Sequence, residues 1–454
     1  MSARHLNLVT LERFAESDLD SEGMIEAGRH LSTCGPCRAR LRGEVNGGAA
    51  VLERLARKGW PEEEPSSDYD QVFERLQRKA LERIEALEEE RQLVPGLAAE
   101  LSRRPFPEQR RMVREDARFH SAALIDLLLE RCSVLNREEP AQAEETARLA
   151  LDVADRIGLE GRSHVLANDL RARAWAYIGN TRRILADFRA AETAIKKAEA
   201  LLEEGSGDPL ERARVLDLKA SLLRSQRRFD FALATIDQVI SIYRRIHEDH
   251  RLGRALISKA MILGHAGEQE KGVSLFFQAL DLIDTQKEPR LALVALNNLL
   301  VDLTELGRYD EAGALLPEIH KYLAHGTRAD ALNVLWAEAQ LESGRGQLET
   351  AEAKLHRVRA EFVAEGIGYD AALASLDLAK IYLRQGRTAE TRELAAEMHG
   401  IFISREIHRE ALVALVFFQK AAEQERATVQ LVEEVTSYLR HAQDNSRLRF
   451  EAAA

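Results

Sequence analysis

The sequence predicts an all-α protein, most of it an α-solenoid of about eight helix hairpins. Three observations carry that reading. Leu, Ala, Arg and Glu dominate, with 31% charged residues, 6% aromatics and only 10 prolines in 454 residues, a helix-forming composition. Turn residues recur at Arg227, Gly267, Gly307, Gly346 and Gly386, at intervals of 40, 40, 39 and 40 residues. Each follows a helical stretch and precedes another that opens with small residues. A fixed period in this range with paired helices marks stacked repeats.

Taken in order, the chain divides into residues 1–58, a small helical module; 59–67, a linker; 68–116, connecting helices; 117–442, the solenoid; and 443–454, a tail. In the module, residues 10–16 and 21–30 read as short helices, with Thr10 and Ser21 as N-caps and Leu11, Phe14, Met24 and Ile25 as apolar anchors. A third helix starts near Cys37 and runs through Arg38 and Leu41. Gly47-Gly48 interrupts it before helical spacing resumes with Val51, Leu52 and Leu55. The linker holds glycine, two prolines, an acidic run and paired serines. Residues 68–93 read as a long charged helix with Val72, Phe73, Leu76, Leu81, Ile84 and Leu87 on its apolar side, ended by Pro95-Gly96. Pro105 and Pro107 break the next stretch, before the main body begins near Glu108. Earlier copies of the repeat turn are expected at Asn136 to Pro140 and at Gly179-Asn180, the longer interval that follows being taken up partly by Gly205-Ser-Gly-Asp-Pro209.

Leu306-Gly-Arg-Tyr-Asp-Glu-Ala312, and more loosely Arg384-Gln-Gly-Arg-Thr-Ala-Glu390, resemble the inter-helix turn of tetratricopeptide repeats, in a variant with longer helices than the usual 34-residue period. The resemblance implies a concave face that binds a protein or peptide, and repeats that carry no chemistry themselves. Trp175, Tyr177, Trp336, Tyr382 and Phe417 fall in first helices of hairpins, as repeat core or concave lining.

The one motif with metal chemistry is His30-Leu-Ser-Thr-Cys34-Gly-Pro-Cys37. Two thiolates and an imidazole at these offsets supply three ligands for tetrahedral Zn²⁺, and His5, one short hairpin upstream, closes the set. A water or another side chain in place of His5 is the alternative. Gly35-Pro36 makes a tight turn that lets both sulfurs face one ion. Two of only three cysteines sit here, which argues against a disulfide framework. So short a segment has little core, and zinc would order it by on the order of 10 kcal/mol or more. The metal is either purely structural or released when Cys34 and Cys37 oxidise.

His5-Leu-Asn-Leu-Val-Thr-Leu-Glu-Arg-Phe14, Leu19-Asp-Ser-Glu22 and the His30 to Arg38 segment together resemble the zinc-binding anti-sigma factor domain of bacteria, over roughly the first 45–60 residues. Members of that family commonly hold an alternative sigma factor away from RNA polymerase. The resemblance implies a sigma factor as partner of the module and its following helix (Val51, Leu52, Leu55), with a second protein on the solenoid. The alternative is an interaction scaffold in a signalling or defence system, its zinc merely structural.

A net charge of −11 argues against general affinity for nucleic acid, and the Arg38, Arg40, Arg42 run is balanced by nearby acids, so direct nucleic-acid binding is not expected. No membrane association is expected either. The richest apolar run, residues 291–303, is interrupted by Asn297 and Asn298, residues 411–418 are too few, and the start is polar. The chain therefore reads as cytoplasmic. It shows no phosphate-binding, dinucleotide or nucleophile-elbow motif, so an enzyme is not expected. Cys132, among leucines at helical spacing, reads as a buried inert thiol. His247, His250 and His265 read as solvated histidines near a repeat junction, because His247-Glu-Asp-His250 is not the H-E-x-x-H spacing of a metal site.

Overall fold

The computed structural model describes residues 68–136, 139–159, 164–403, 409–442 and 450, with isolated positions 10, 23, 26, 27 and 30. Those isolated positions are helical. The rest of the expected module, the linker and residues 443–449 lie outside the described residues. Within them there are helices and no strands, and no helix is long and apolar enough to cross a membrane.

The chain enters through α1 (Asp68–Ser102), α2 (Phe106–Glu115) and a short 3-10 turn, Ala117–Phe119. Eight consecutive helix pairs follow among the described residues: α3 (Ala122–Leu135) and α4 (Pro140–Leu159), α5 (His164–Ile184) and α6 (Phe188–Glu203), α7 (Pro209–Ser225) and α8 (Phe229–Arg245), then α9 (Asp249–His265) and α10 (Gln269–Leu282). In the fifth pair α11 (Pro289–Glu305) is followed by a helix that Pro317 splits into α12 (Tyr309–Ala314) and α13 (Leu316–Leu323), because proline lacks the N–H that would continue the ladder. The last three pairs are α14 (Arg328–Gly344) and α15 (Leu348–Glu365), α16 (Gly368–Arg384) and α17 (Thr388–Ile403), α18 (Arg409–Glu423) and α19 (Val429–Ala442).

The expected turn residues are where the backbone turns left-handed. Arg227, Gly267, Gly307, Gly346 and Gly386 all have positive φ, between 56° and 84°. At Gly307 the local bonding shows why. Its N–H donates to the Thr304 carbonyl at 3.1 Å, and the Arg308 N–H reaches back to Leu303 at 2.9 Å. This closes the last turn of α11 only if the intervening residue is left-handed. Arg308 then ties the repeat to its predecessor through Glu270 at 2.8 Å, and to its own helix through Glu311 at 2.6 Å. Arg387 repeats the device with Glu352 and Glu390.

Two sequence expectations are corrected. Gly179-Asn180 is not a turn but lies inside α5, and the left-handed residue is Ala186, φ 58°. Gly179 serves packing instead, since a Cβ there would stand 3.1 Å from Ile195 Cγ1 and 3.3 Å from the Ala191 carbonyl on α6. Likewise Pro95-Gly96 does not end α1, which runs on to Ser102 with Pro95 inside it. Val94 and Leu101, 4% and 1% exposed, flank the proline and pack into the core with Leu124 and Leu128 of α3, so tertiary burial overrides the local break.

The chain forms two compact units: Met1–Leu222 with Gln238–Glu248, and Leu223–Asp237 with Asp249–Ala454. The first has a core from α1 through α6 that includes Phe119, Ile125, Val153 and Ile178. The second has an apolar cluster around α16, where Leu376, Ala379 and Tyr382 meet Phe418 of α18 and Val435 and Leu439 of α19.

Candidate functional site

The second unit contains a cleft of about 1000 Å³. Its walls come mainly from first helices of successive pairs, α9, α11, α14 and α16, and from α19, with Phe229 of α8 and Gln269 and Phe276 of α10. On α11 the lining positions 290, 294, 297, 298, 301, 302 and 305 recur at three- and four-residue steps, one face of a helix. Leu293 also lines the cleft, and the opposite face, with Leu296, Leu299, Leu300 and Leu303, is core. Residues 433, 436, 437 and 440 of α19 follow the same step.

Most charges in the cleft are neutralised in place. Arg290 forks onto Asp330 at 2.7 and 2.9 Å, and Asp330 also caps α14 with Thr327. Beneath the floor, Asp377 accepts from Trp336 Nε1 and Gln340 Nε2, both at 2.9 Å, and pairs with Lys380 at 3.2 Å. Burial alone would raise its pKa, but Lys380 and the two donors hold the carboxyl below its ordinary value. Glu305 pairs with Arg440 at 2.8 Å and accepts from Gln269 at 3.1 Å.

Two acceptors on the α11 face have no donor. Asn297 Oδ1 and Asp302 Oδ2 are buried and unpartnered. Asp302 is 7% exposed, and its carboxyl is pushed up to about 7 by burial and then by Glu305. His265, at the end of α9, moves the other way, down to about 4. Desolvation by the surrounding protein lowers it most, although the residue stands at an exposed position, and Arg224, Arg227 and Arg440 disfavour a further positive charge. Its Nδ1 lies 2.6 Å from the Met261 carbonyl, so Nδ1 carries the proton there.

Of the residues singled out in the sequence, His5, Cys34 and Cys37 lie outside the described residues, as do Arg38, Arg40 and Arg42. His30 is described, in helix and half-buried. Among the described residues no group of three or more His, Cys, Asp or Glu could hold a metal ion. Cys132 is buried against Thr181 and Asn136, at 3.6 and 3.7 Å, and burial pushes its thiol up to about 11, the inert setting expected of it. His250 departs from the solvated reading: Nδ1 accepts the Asp284 N–H at 2.9 Å and Nε2 meets Glu288 at 3.1 Å, which holds the loop between α10 and α11. Tyr382 is core, and Trp336 joins core and cleft, packing edge-on against Phe362. Asn297 and Asn298 served in the sequence only as an argument against a membrane span; with Asp302, which sequence reasoning missed, they form polar residues at helical spacing beside a leucine face.

No protein-family model matches the sequence, and no curated protein matches it. Solved structures do. A Rap protein complexed with competence and sporulation factor is 13% identical with a TM-score of 0.53, over 70% of this chain and 87% of that one. Aspartyl phosphate phosphatase F from Bacillus subtilis is 17% identical with a TM-score of 0.39, over 75% and 94%. Yeast Tom70 is 15% identical with a TM-score of 0.38, over 94% and 90%. The likeness to the Rap protein is one of fold: an all-α, tetratricopeptide-like helical repeat.

Proposed function

We propose that this chain is a protein-interaction scaffold whose second unit receives an extended segment of a partner protein or a free peptide. The observation that carries the reading is the polar face of α11 within the cleft, where Asn297 and Asp302 lack donors. An extended backbone presents an N–H and a carbonyl at each residue, and asparagine side chains match both. A cleft of about 1000 Å³ is at the upper end of small-ligand sites and suits a short segment. That a Rap protein of the same fold is complexed with competence and sporulation factor supports the class of partner. The test is photo-crosslinking of partners to benzoylphenylalanine at position 333 on the cleft wall. Partners crosslinked there and displaced by a short peptide of their own sequence support the reading; partners crosslinked only from outer faces of the helices overturn it.

The N-terminal module has its own place in this proposal. His5, His30, Cys34 and Cys37 would hold one structural Zn²⁺, their donor set of two thiolates and two imidazoles being suited to a closed tetrahedral site. The module would then dock a sigma factor, making the chain an anti-sigma-like regulator. The support is the sequence spacing and its resemblance. Capture from native lysate with the wild type and with Cys34→Ser/Cys37→Ser, with zinc content measured on both, tests it. A sigma factor held only by the zinc-loaded wild type is the expected result. Identical partners for both forms would leave the scaffold reading and remove the anti-sigma one.

A further inference from the structure

We infer that the cleft selects segments carrying a basic side chain, with Asp302 as the acceptor for its guanidinium or ammonium group; this rests on the reading that the cleft binds peptide. Asp302 lines the cleft, is 93% removed from solvent, and has a buried oxygen with no hydrogen-bond donor. The cations that share the cleft are engaged elsewhere. Arg290 is forked onto Asp330, Arg440 is on Glu305, Lys380 is on Asp377, and the Arg227 guanidinium lies 4.8 Å over the Phe229 ring. The charged neighbour acting on Asp302 is Glu305, another acid.

The packing around the carboxyl keeps it in place rather than replacing it. Gly264 of α9 and Gly272 of α10 face it, and a Cβ on them would stand 3.0 Å from Oδ1 and 3.1 Å from Oδ2. Two close glycines make room for a carboxyl that no cation among the described residues of the second unit pairs with. A buried carboxylate without a partner is costly, and a ligand that brings the missing donors removes that cost only when bound. Asn297 stands five residues earlier, at the other edge of the polar face, about 140° around and about 7.5 Å along the helix, and also lacks a donor. Both unmet groups are acceptors. A guanidinium, with five donors and no acceptor, is the side-chain complement.

The experiment uses the full chain and a positional-scanning library of N-acetylated, C-amidated hexapeptides, read by fluorescence polarisation. The best arginine-containing peptide is then compared with its citrulline counterpart, which keeps the shape and removes the charge. We expect enrichment of Arg or Lys at one position and a loss of at least about thirtyfold on changing Arg to citrulline. In Asp302→Asn the two peptides should bind within about threefold of each other. The citrulline comparison on the wild type needs no variant to fold. Peptides that bind without basic preference, or an arginine–citrulline gap that persists in Asp302→Asn, overturn the inference and leave the cleft reading standing. Failure of every peptide to bind the wild type overturns both.

Discussion

Arg440 on α19 meets Glu305 on α11 at 2.8 Å, across 135 residues of chain. The pair closes the edge of the cleft, but it is not what holds α19. The apolar face of that helix, Val432, Val435 and Leu439, is buried against α16 and α18. The ion pair itself is 43% and 33% exposed, so solvent screens it.

Reversing the charge should therefore leave the fold nearly unchanged. Arg440→Glu is expected to lower stability in urea by less than about 1 kcal/mol, and Glu305→Arg/Arg440→Glu to recover it. Amide exchange in α19 should rise only in its last turn. A loss of several kcal/mol would show that the pair, and not the apolar face, anchors the helix.

The cleft should also leave a mark on stability against pH. Asp302 has its pKa raised from the ordinary 3.8 to about 7, so the folded state prefers the protonated form. Its contribution is fully present below pH 4 and is lost as pH rises to 7. Asp302→Asn should remove that loss, gaining up to about 4 kcal/mol above pH 7 and little at pH 4. His265 has the opposite sign. Its pKa falls from 6.5 to about 4, so stability is full above 6.5 and declines as pH drops toward 4. His265→Gln should flatten that acid arm. Urea titrations from pH 4 to 8 on the two variants separate the effects.

How much of this was legible depended on whether a residue type announced its own backbone. Gly267, Gly307, Gly346 and Gly386 did, and their spacing exposed the repeat. Ala186 and Glu425 also turn left-handed, φ 58° and 54°, and extend the same register in both directions. Nothing in an alanine or a glutamate signals that, whereas Gly179 stands out in the sequence although its missing side chain serves helix packing. The candidate cleft was half legible. The polar step along α11 is visible in the sequence, but the state of Asp302 depends on Gly264 and Gly272, which only the tertiary fold brings to it.

The turn residues make a matched pair of tests. Gly307→Ala places a side chain at φ 72° and should cost about 1 kcal/mol. Ala186→Gly relieves the same strain but adds freedom to the unfolded chain, so a gain of less than about 1 kcal/mol is expected. Thermal melts of the two variants should move in opposite directions. A stabilised Gly307→Ala would mean that the turn tolerates a Cβ without strain.

In the first unit the decisive polar contact is buried. Arg173 on α5 is 10% exposed and reaches Asp126 of α3 at 2.6 Å and Glu211 of α7 at 3.4 Å, linking first helices of three successive pairs. The Glu211 contact is close but poorly aligned, since neither Arg173 Nε nor Glu211 Oε2 has a hydrogen-bond partner. Burial pushes the Glu211 carboxyl up, while Arg173 and Arg214 pull it down. Removing Arg173 leaves Glu211 more nearly alone in a dry setting. Arg173→Met should therefore destabilise by about 3 kcal/mol at pH 8, where Glu211 must be charged, and by less at pH 5, where it can take up a proton. Arg173→Met/Glu211→Leu should recover much of the loss, because replacing both partners removes the stranded charge. If the double variant is as unstable as the single one, the contact with Asp126 is what matters, and Asp126→Asn alone should reproduce the defect.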